Sequence, residues 1–150
     1  MAQKIQFNKT FTFMISNFSF GPLPRSELVS LFKDGRISSH FLERCLEEWF
    51  PELKFVNKTG YDHVDRQGVK YDAKNFTKGG LSFMPSNQMG AGRSFNAAVT
   101  HAHAKEINYI ACDIVDFPKV RIRFATGKQL VEDYPQAKIP FSKRAEFFDR

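Results

Sequence analysis

One stretch constrains the fold of this 150-residue chain more than any other, the run from Gly60 to Phe76. From Val69 onward its residues alternate, with Val69, Tyr71 and Ala73 on one side of an expected strand and Lys70, Asp72 and Lys74 on the other. Asp72 and Lys74 therefore face the same way in any fold that keeps the strand. The face of Asp62 depends on the loop before it. With Arg66-Gln67-Gly68 as a three-residue loop, Gly68 takes the left-handed position that closes a type I turn with a bulge. Asp65 then pairs with Val69, Val64 with Lys70, and Asp62 with Asp72. Directly opposed residues share a face with Cα atoms about 4.5–5.5 Å apart, so the two carboxylates meet. A four-residue loop from Asp65 to Gly68 sets Asp62 against Tyr71 and parts the acids. The glycine favours the shorter loop.

Like charges opposed across a sheet are destabilising. A divalent cation shared between them removes that cost and keeps both acids ionised. Two such acids with an ammonium beside them suit hydrolysis of a phosphodiester bond. The plainer alternative is two solvated strand aspartates with Lys74 as a local ion partner. The hairpin register favours the functional reading. Asp65 falls on the opposite face at the turn entrance, where an aspartate caps backbone amides, and reads as structural.

The rest of the chain supplies helices and short strands. Gly21-Pro22-Leu23-Pro24 breaks the chain, and Ser26 begins a helix to about Lys33, turned by Asp34-Gly35. Ser38 or Ser39 caps a stronger helix to Phe50, stopped by Pro51. Its apolar stripe is Phe41, Leu42, Cys45, Leu46, Trp49 and Phe50. Glu43 lies at the edge of that stripe, where an acid reaches over a neighbouring sheet while its helix stays packed. It is a candidate third metal-site acid, with a solvated helix glutamate as the equal alternative. Leu81 to Phe83 reads as a short strand, and Ser94 as the cap of a helix from Phe95 to Lys105. Strands follow at 107–115 and 120–124, then a capping box at Thr126 to Gln129 opens a helix ending near Tyr134-Pro135. The segment from Ile139 to Arg150 is expected to dock through Phe141, Phe147 and Phe148. The whole predicts a single α/β or α+β domain over 1–150, with a mixed central β-sheet flanked by helices.

Composition narrows the partners. The formal net charge is +6, which points to a polyanion once a phosphodiester site is suspected. No apolar run reaches membrane-spanning length and no signal pattern opens the chain, so the expectation is a cytoplasmic protein. Cys45 and Cys112 sit at apolar positions and read as reduced core residues. Lys119, Arg121 and Arg123 alternate with apolar residues. The stripe is either a phosphate track or the solvated face of an edge strand pairing with Asp113 or Asp116. The segment from Ser86 to Ser94, with Gln88 and Arg93, precedes a helix and either offers backbone amides to a DNA phosphate or is a plain polar loop. It lacks the Gly-Lys-Ser/Thr of a P-loop, so no nucleotide cofactor is expected. His101 and His103, two apart on a helix, do not share a face as a zinc pair does. No nucleophile elbow occurs.

Glu43 on a helix, then Gly60-Tyr61-Asp62, then Asp72-Ala73-Lys74 in a hairpin together resemble the PD-(D/E)XK nuclease superfamily. The likeness covers Ser39 to Phe76 closely, and the later helix and strand pair in order of elements only. Tyr61 replaces the motif's proline, and the second acid is Asp rather than the commoner Glu. The resemblance implies a restriction-endonuclease-like fold and a Mg2+-dependent DNA endonuclease in which Mn2+ can substitute. Asp62 and Asp72 would hold the metal with Glu43 assisting, and Lys74 would orient the attacking water. Gln88 and Arg93 would match DNA-contacting residues, and a symmetric homodimer would present two sites. The alternative is a basic nucleic-acid-binding module without chemistry.

Overall fold

The structure, a computed structural model, describes residues 2–84 and 92–150. It has an α+β fold built on a six-stranded mixed sheet. The strands are β1 (Thr10–Met14), β2 (Lys54–Lys58), β3 (Tyr61–Val64), β4 (Lys70–Phe76), β6 (Asn108–Asp113) and β7 (Lys119–Thr126), in the spatial order β1-β7-β6-β4-β3-β2. A two-stranded ribbon of β5 (Leu81–Ser82) and β8 (Lys138–Ile139) stands apart. Strands β2 to β4 form an antiparallel meander, whereas β4 and β6 run parallel. Parallel neighbours need a crossover, and helix α3 (Ala97–Ala104) lies within it.

Each face of the sheet carries its own core. On one, Leu42, Leu46 and Phe50 pack with Tyr71, Ile110, Ile122 and Phe124. The first two come from helix α2 (Gly35–Trp49). Phe50 meets the rings of Phe11 and Phe124 edge-on, each at 4.9 Å. On the other face Phe76, Tyr109 and Ala111 pack with residues of α4 (Gly127–Asp133) and α5 (Arg144–Phe148). Strand β6 is buried along nearly its whole length, as a strand covered on both sides must be.

Helix boundaries depart from expectation where capping chemistry was misjudged. Helix α1 spans Arg25–Phe32, close to its expected range. Helix α2 starts at Gly35 because Asp34 Oδ1 accepts from the Arg36 amide at 2.9 Å. Ser38 does not cap it. That residue is buried, and its hydroxyl donates back to the Asp34 carbonyl at 3.2 Å. Asn96 rather than Ser94 caps α3, accepting from Val99 N at 3.1 Å. Thr126 caps α4 as expected, its Oγ1 accepting from Gln129 N at 3.2 Å. Both cysteines are free thiols. Among the described residues no helix is long and apolar enough to cross a membrane.

Strand β7 is internal, between β1 and β6, and is not an edge strand. Its basic stripe lies under the C-terminal segment. Arg121 holds Asp113 at 2.9 Å and Asp149 at 2.6 Å, and Arg144 reaches Asp113 at 2.9 Å and Asp116 at 2.7 Å. Asp113 is 1 % exposed and also accepts from Val115 N. Arg123 is 4 % exposed and donates to Thr10 Oγ1 and the Arg150 carbonyl. Phe147 and Phe148 are buried here as expected, whereas Phe141 is 43 % exposed.

The start of α4 presses against the end of α3. A Cβ built on Gly127 would lie 1.7 Å from the Ala104 carbonyl oxygen, and the Gly127 amide donates to Ile107 O at 3.1 Å. Backbone on both sides leaves no room to yield. Gly127→Ala should therefore cost about 3 kcal/mol, read as a lowered midpoint of urea denaturation.

Candidate functional site

The three-residue loop forms. Gly68 has φ of +82°, its amide donates to Asp65 O at 3.0 Å, and the Asp65 amide donates to Val69 O at 3.0 Å. Asp65 stabilises the turn as expected, its Oδ1 accepting from Gln67 N and Val69 N at 2.9 and 3.0 Å. Strands β3 and β4 pair through Val64–Lys70 and His63–Tyr71. The same register carried one residue further sets Asp62 opposite Asp72.

Beyond His63–Tyr71 the two strands part. A regular ladder would present the Ala73 amide to the Tyr61 carbonyl. Here that amide donates instead to Oδ2 of Asp62 at 3.1 Å. The carboxylate thus fills the gap in the ladder and is fixed at its mouth. Asp72 lies beside Asp62, and Lys74 Nζ lies 3.1 Å from Asp72 Oδ2. Burial pushes the Asp72 carboxyl up to about 7. Lys74 pulls against that rise and Asp62 adds to it. A buried acid beside another acid keeps its proton because two unshielded negative charges repel.

Glu43 arrives from α2 with its side chain only 12 % exposed. Burial raises its carboxyl above the usual range, and the charge of Asp62 raises it further. The three acids, Lys74 and Lys58 line one cleft of about 600 Å3, walled on its apolar side by Phe83, Met84 and Val99. Glu43, Ala73 and Lys74 also line a neighbouring cleft at the start of α2, with Ser39 and Asn75.

Two residues that the sequence reading missed hold α2 in place. His63 is fully buried, and its Nε2 lies 2.9 Å from the Glu43 carbonyl oxygen, so the imidazole carries its proton there. Burial lowers its tendency to take a second one. Its register opposite the apolar Tyr71 was the available signal. Asn75 Nδ2 donates to the Gly35 carbonyl at 3.2 Å and ties the first turn of α2 to β4. Glu47, which a helical wheel points outward, instead accepts from the Phe55 amide at 2.9 Å.

The other site candidates scatter. Arg121 and Arg123 are held beneath the C-terminal segment, as described, and a DNA-contact role for them is withdrawn on that ground. Lys119 begins the same strand, half-buried. Arg93 is exposed on the approach to α3, and Gln88 lies outside the described residues. Among the described residues no three His, Cys, Asp or Glu side chains form a group able to hold a metal ion. The acids that meet are Asp62 and Asp72, with Glu43 close enough to feel Asp62 but outside a three-ligand set. No family model matches the chain, and no curated protein matches it.

Asp72 holds its proton more tightly folded than unfolded. Its contribution to stability is complete below its ordinary value of 3.8 and is lost as pH rises through about 7. Asp72→Asn removes this dependence, so the variant should gain on the wild type steadily as unfolding is measured at rising pH across that window. His63→Ala should cost about 2–4 kcal/mol by the same assay, since it opens a cavity and removes the bond that ties the Glu43 carbonyl of α2 to β3.

Proposed function

We propose that this chain is a Mg2+-dependent DNA endonuclease of the PD-(D/E)XK kind, with Mn2+ able to substitute. One observation carries the reading. The hairpin register brings Asp62 and Asp72 into contact, with Lys74 Nζ 3.1 Å from Asp72, on the floor of a cleft. The order α2, the β2–β4 meander, α3 and β6 supports it by following the element order that the resemblance carries.

The residues fit a hard cation. Carboxylate oxygens are its preferred donors, and magnesium is commonly held by one or two carboxylates with waters and phosphate oxygens completing the shell. The pair Asp62 and Asp72 would hold it; burial first, and then Asp62, raises the Asp72 carboxyl, and a cation there would favour the ionised pair. Glu43 would assist in holding it. Bound there, magnesium polarises the scissile phosphate and acidifies a water. Lys74, oriented by Asp72, positions that water and stabilises charge building on the phosphate oxygens. Lys58 on the cleft wall and the net charge of +6 favour a polyanionic strand. A symmetric homodimer would set two such clefts on a two-fold DNA site.

Incubation with supercoiled plasmid and magnesium tests the proposal. Wild type should nick it, and Asp72→Ala and Lys74→Ala should each lower the rate by about 100- to 1000-fold. A folded wild-type protein that binds DNA but cuts neither plasmids nor branched junctions would leave the non-catalytic binding module in its place.

A further inference from the structure

The histidine pair of α3 is divided by its spacing. His101 turns to the Pro135 carbonyl, with Nε2 2.9 Å from the oxygen. His103 goes the other way, over the turn that joins β2 to β3. A Cβ on Gly60 would lie 3.1 Å from its Cε1 and 3.9 Å from its Nε2, so the ring rests on the bare backbone of that turn. Gly60 has φ of +88°, a second reason for glycine there. The imidazole is half-buried and lines the same cleft as Asp62, Asp72 and Lys74.

The hairpin register gives its place relative to the acids. Carried past Asp62 and Asp72, it sets Gly60, beneath His103, at the level of Lys74, so the imidazole and the ammonium border the same end of the acid pair in one cleft. In-line displacement at phosphorus needs one group at the entering water and one at the departing oxygen. Lys74 sits against Asp72 at 3.1 Å, which commits it to the acid side. An imidazole is the side chain that gives up and regains a proton most readily near neutrality.

We infer that His103 is a further catalytic residue, the general acid that protonates the leaving oxygen. The inference rests on the nuclease reading above. Water attacks phosphorus and loses its proton to solvent. The bond from phosphorus to the bridging sugar oxygen breaks, and the imidazolium N–H proton passes to that oxygen. The products are an alcohol and a phosphate monoester, and the imidazole takes a fresh proton from solvent.

Replacing the leaving oxygen by sulfur separates this role from a structural one, because a thiolate departs without a proton. A duplex is copied from a mapped plasmid nick and made with either oxygen or sulfur at the bridging leaving position. His103→Ala should cut the oxygen linkage about 100-fold or more slowly and the sulfur linkage at the wild-type rate. His103→Gln, which keeps most of the side-chain volume, should show the same split if the alanine variant unfolds. Equal losses on both linkages, or none on either, overturn the role of His103 and leave the nuclease standing. A folded wild type that cuts nothing removes both.

Discussion

The structure around the cleft depends on where one backbone amide finds its acceptor. Ala73 would complete the β3–β4 ladder by bonding to a carbonyl, and it bonds to the Asp62 carboxylate instead. A buried amide cannot be left unpaired without a cost of about 1–3 kcal/mol. Opening the sheet at this point therefore requires a side-chain acceptor, and the acceptor is itself one of the two acids. The parting of the strands and the positioning of Asp62 are one event. It also brings the negative charge of Asp62 to Asp72, which is already short of solvent.

The surrounding fold keeps that costly arrangement from relaxing. Helix α2 is attached at three points along one face: Gly35 to Asn75, Glu43 to His63 and Glu47 to Phe55. Each bond involves a different strand of the meander, so the helix cannot slide without breaking all three. Two of them use backbone groups of α2 and leave the Glu43 carboxyl available to the cleft. The aromatic layer of Phe11, Phe50 and Phe124 packs on the same face of the sheet beside α2 and holds it rigid. Groups that oppose one another electrostatically persist only where their environment over-determines their positions.

The hairpin was legible because its determinants are local: a glycine at the left-handed position and a two-residue alternation. The α+β class was legible for a similar reason, since periodicity and caps marked most elements. What failed was non-local. Alternation in β7 revealed two faces but not that β1 would cover one edge and α5 one face, so Arg121 and Arg123 read as surface charge. The start of α2 was misplaced because Gly35 looks like a breaker, while the Asp34 cap offsets it. His63 passed unnoticed between Asp62 and Val64. Its burial follows from facing the same side as Tyr71, a fact of pairing rather than of composition.

The pairing of β1 with β7 has a consequence for how the molecule is assembled. Thr10 and Arg123, joined by a hydrogen bond, are 113 positions apart, whereas the acid-bearing hairpin closes across a three-residue loop. The entropy lost in closing a chain segment grows with its length, and distant contacts repay it late. Electrostatic repulsion is thus concentrated in the element whose ends are cheapest to bring together, and the long-range seam is left to aromatic rings and one enclosed carboxylate. Conflict near in sequence and agreement far apart is a division of labour that lets a reactive centre coexist with a cooperative fold.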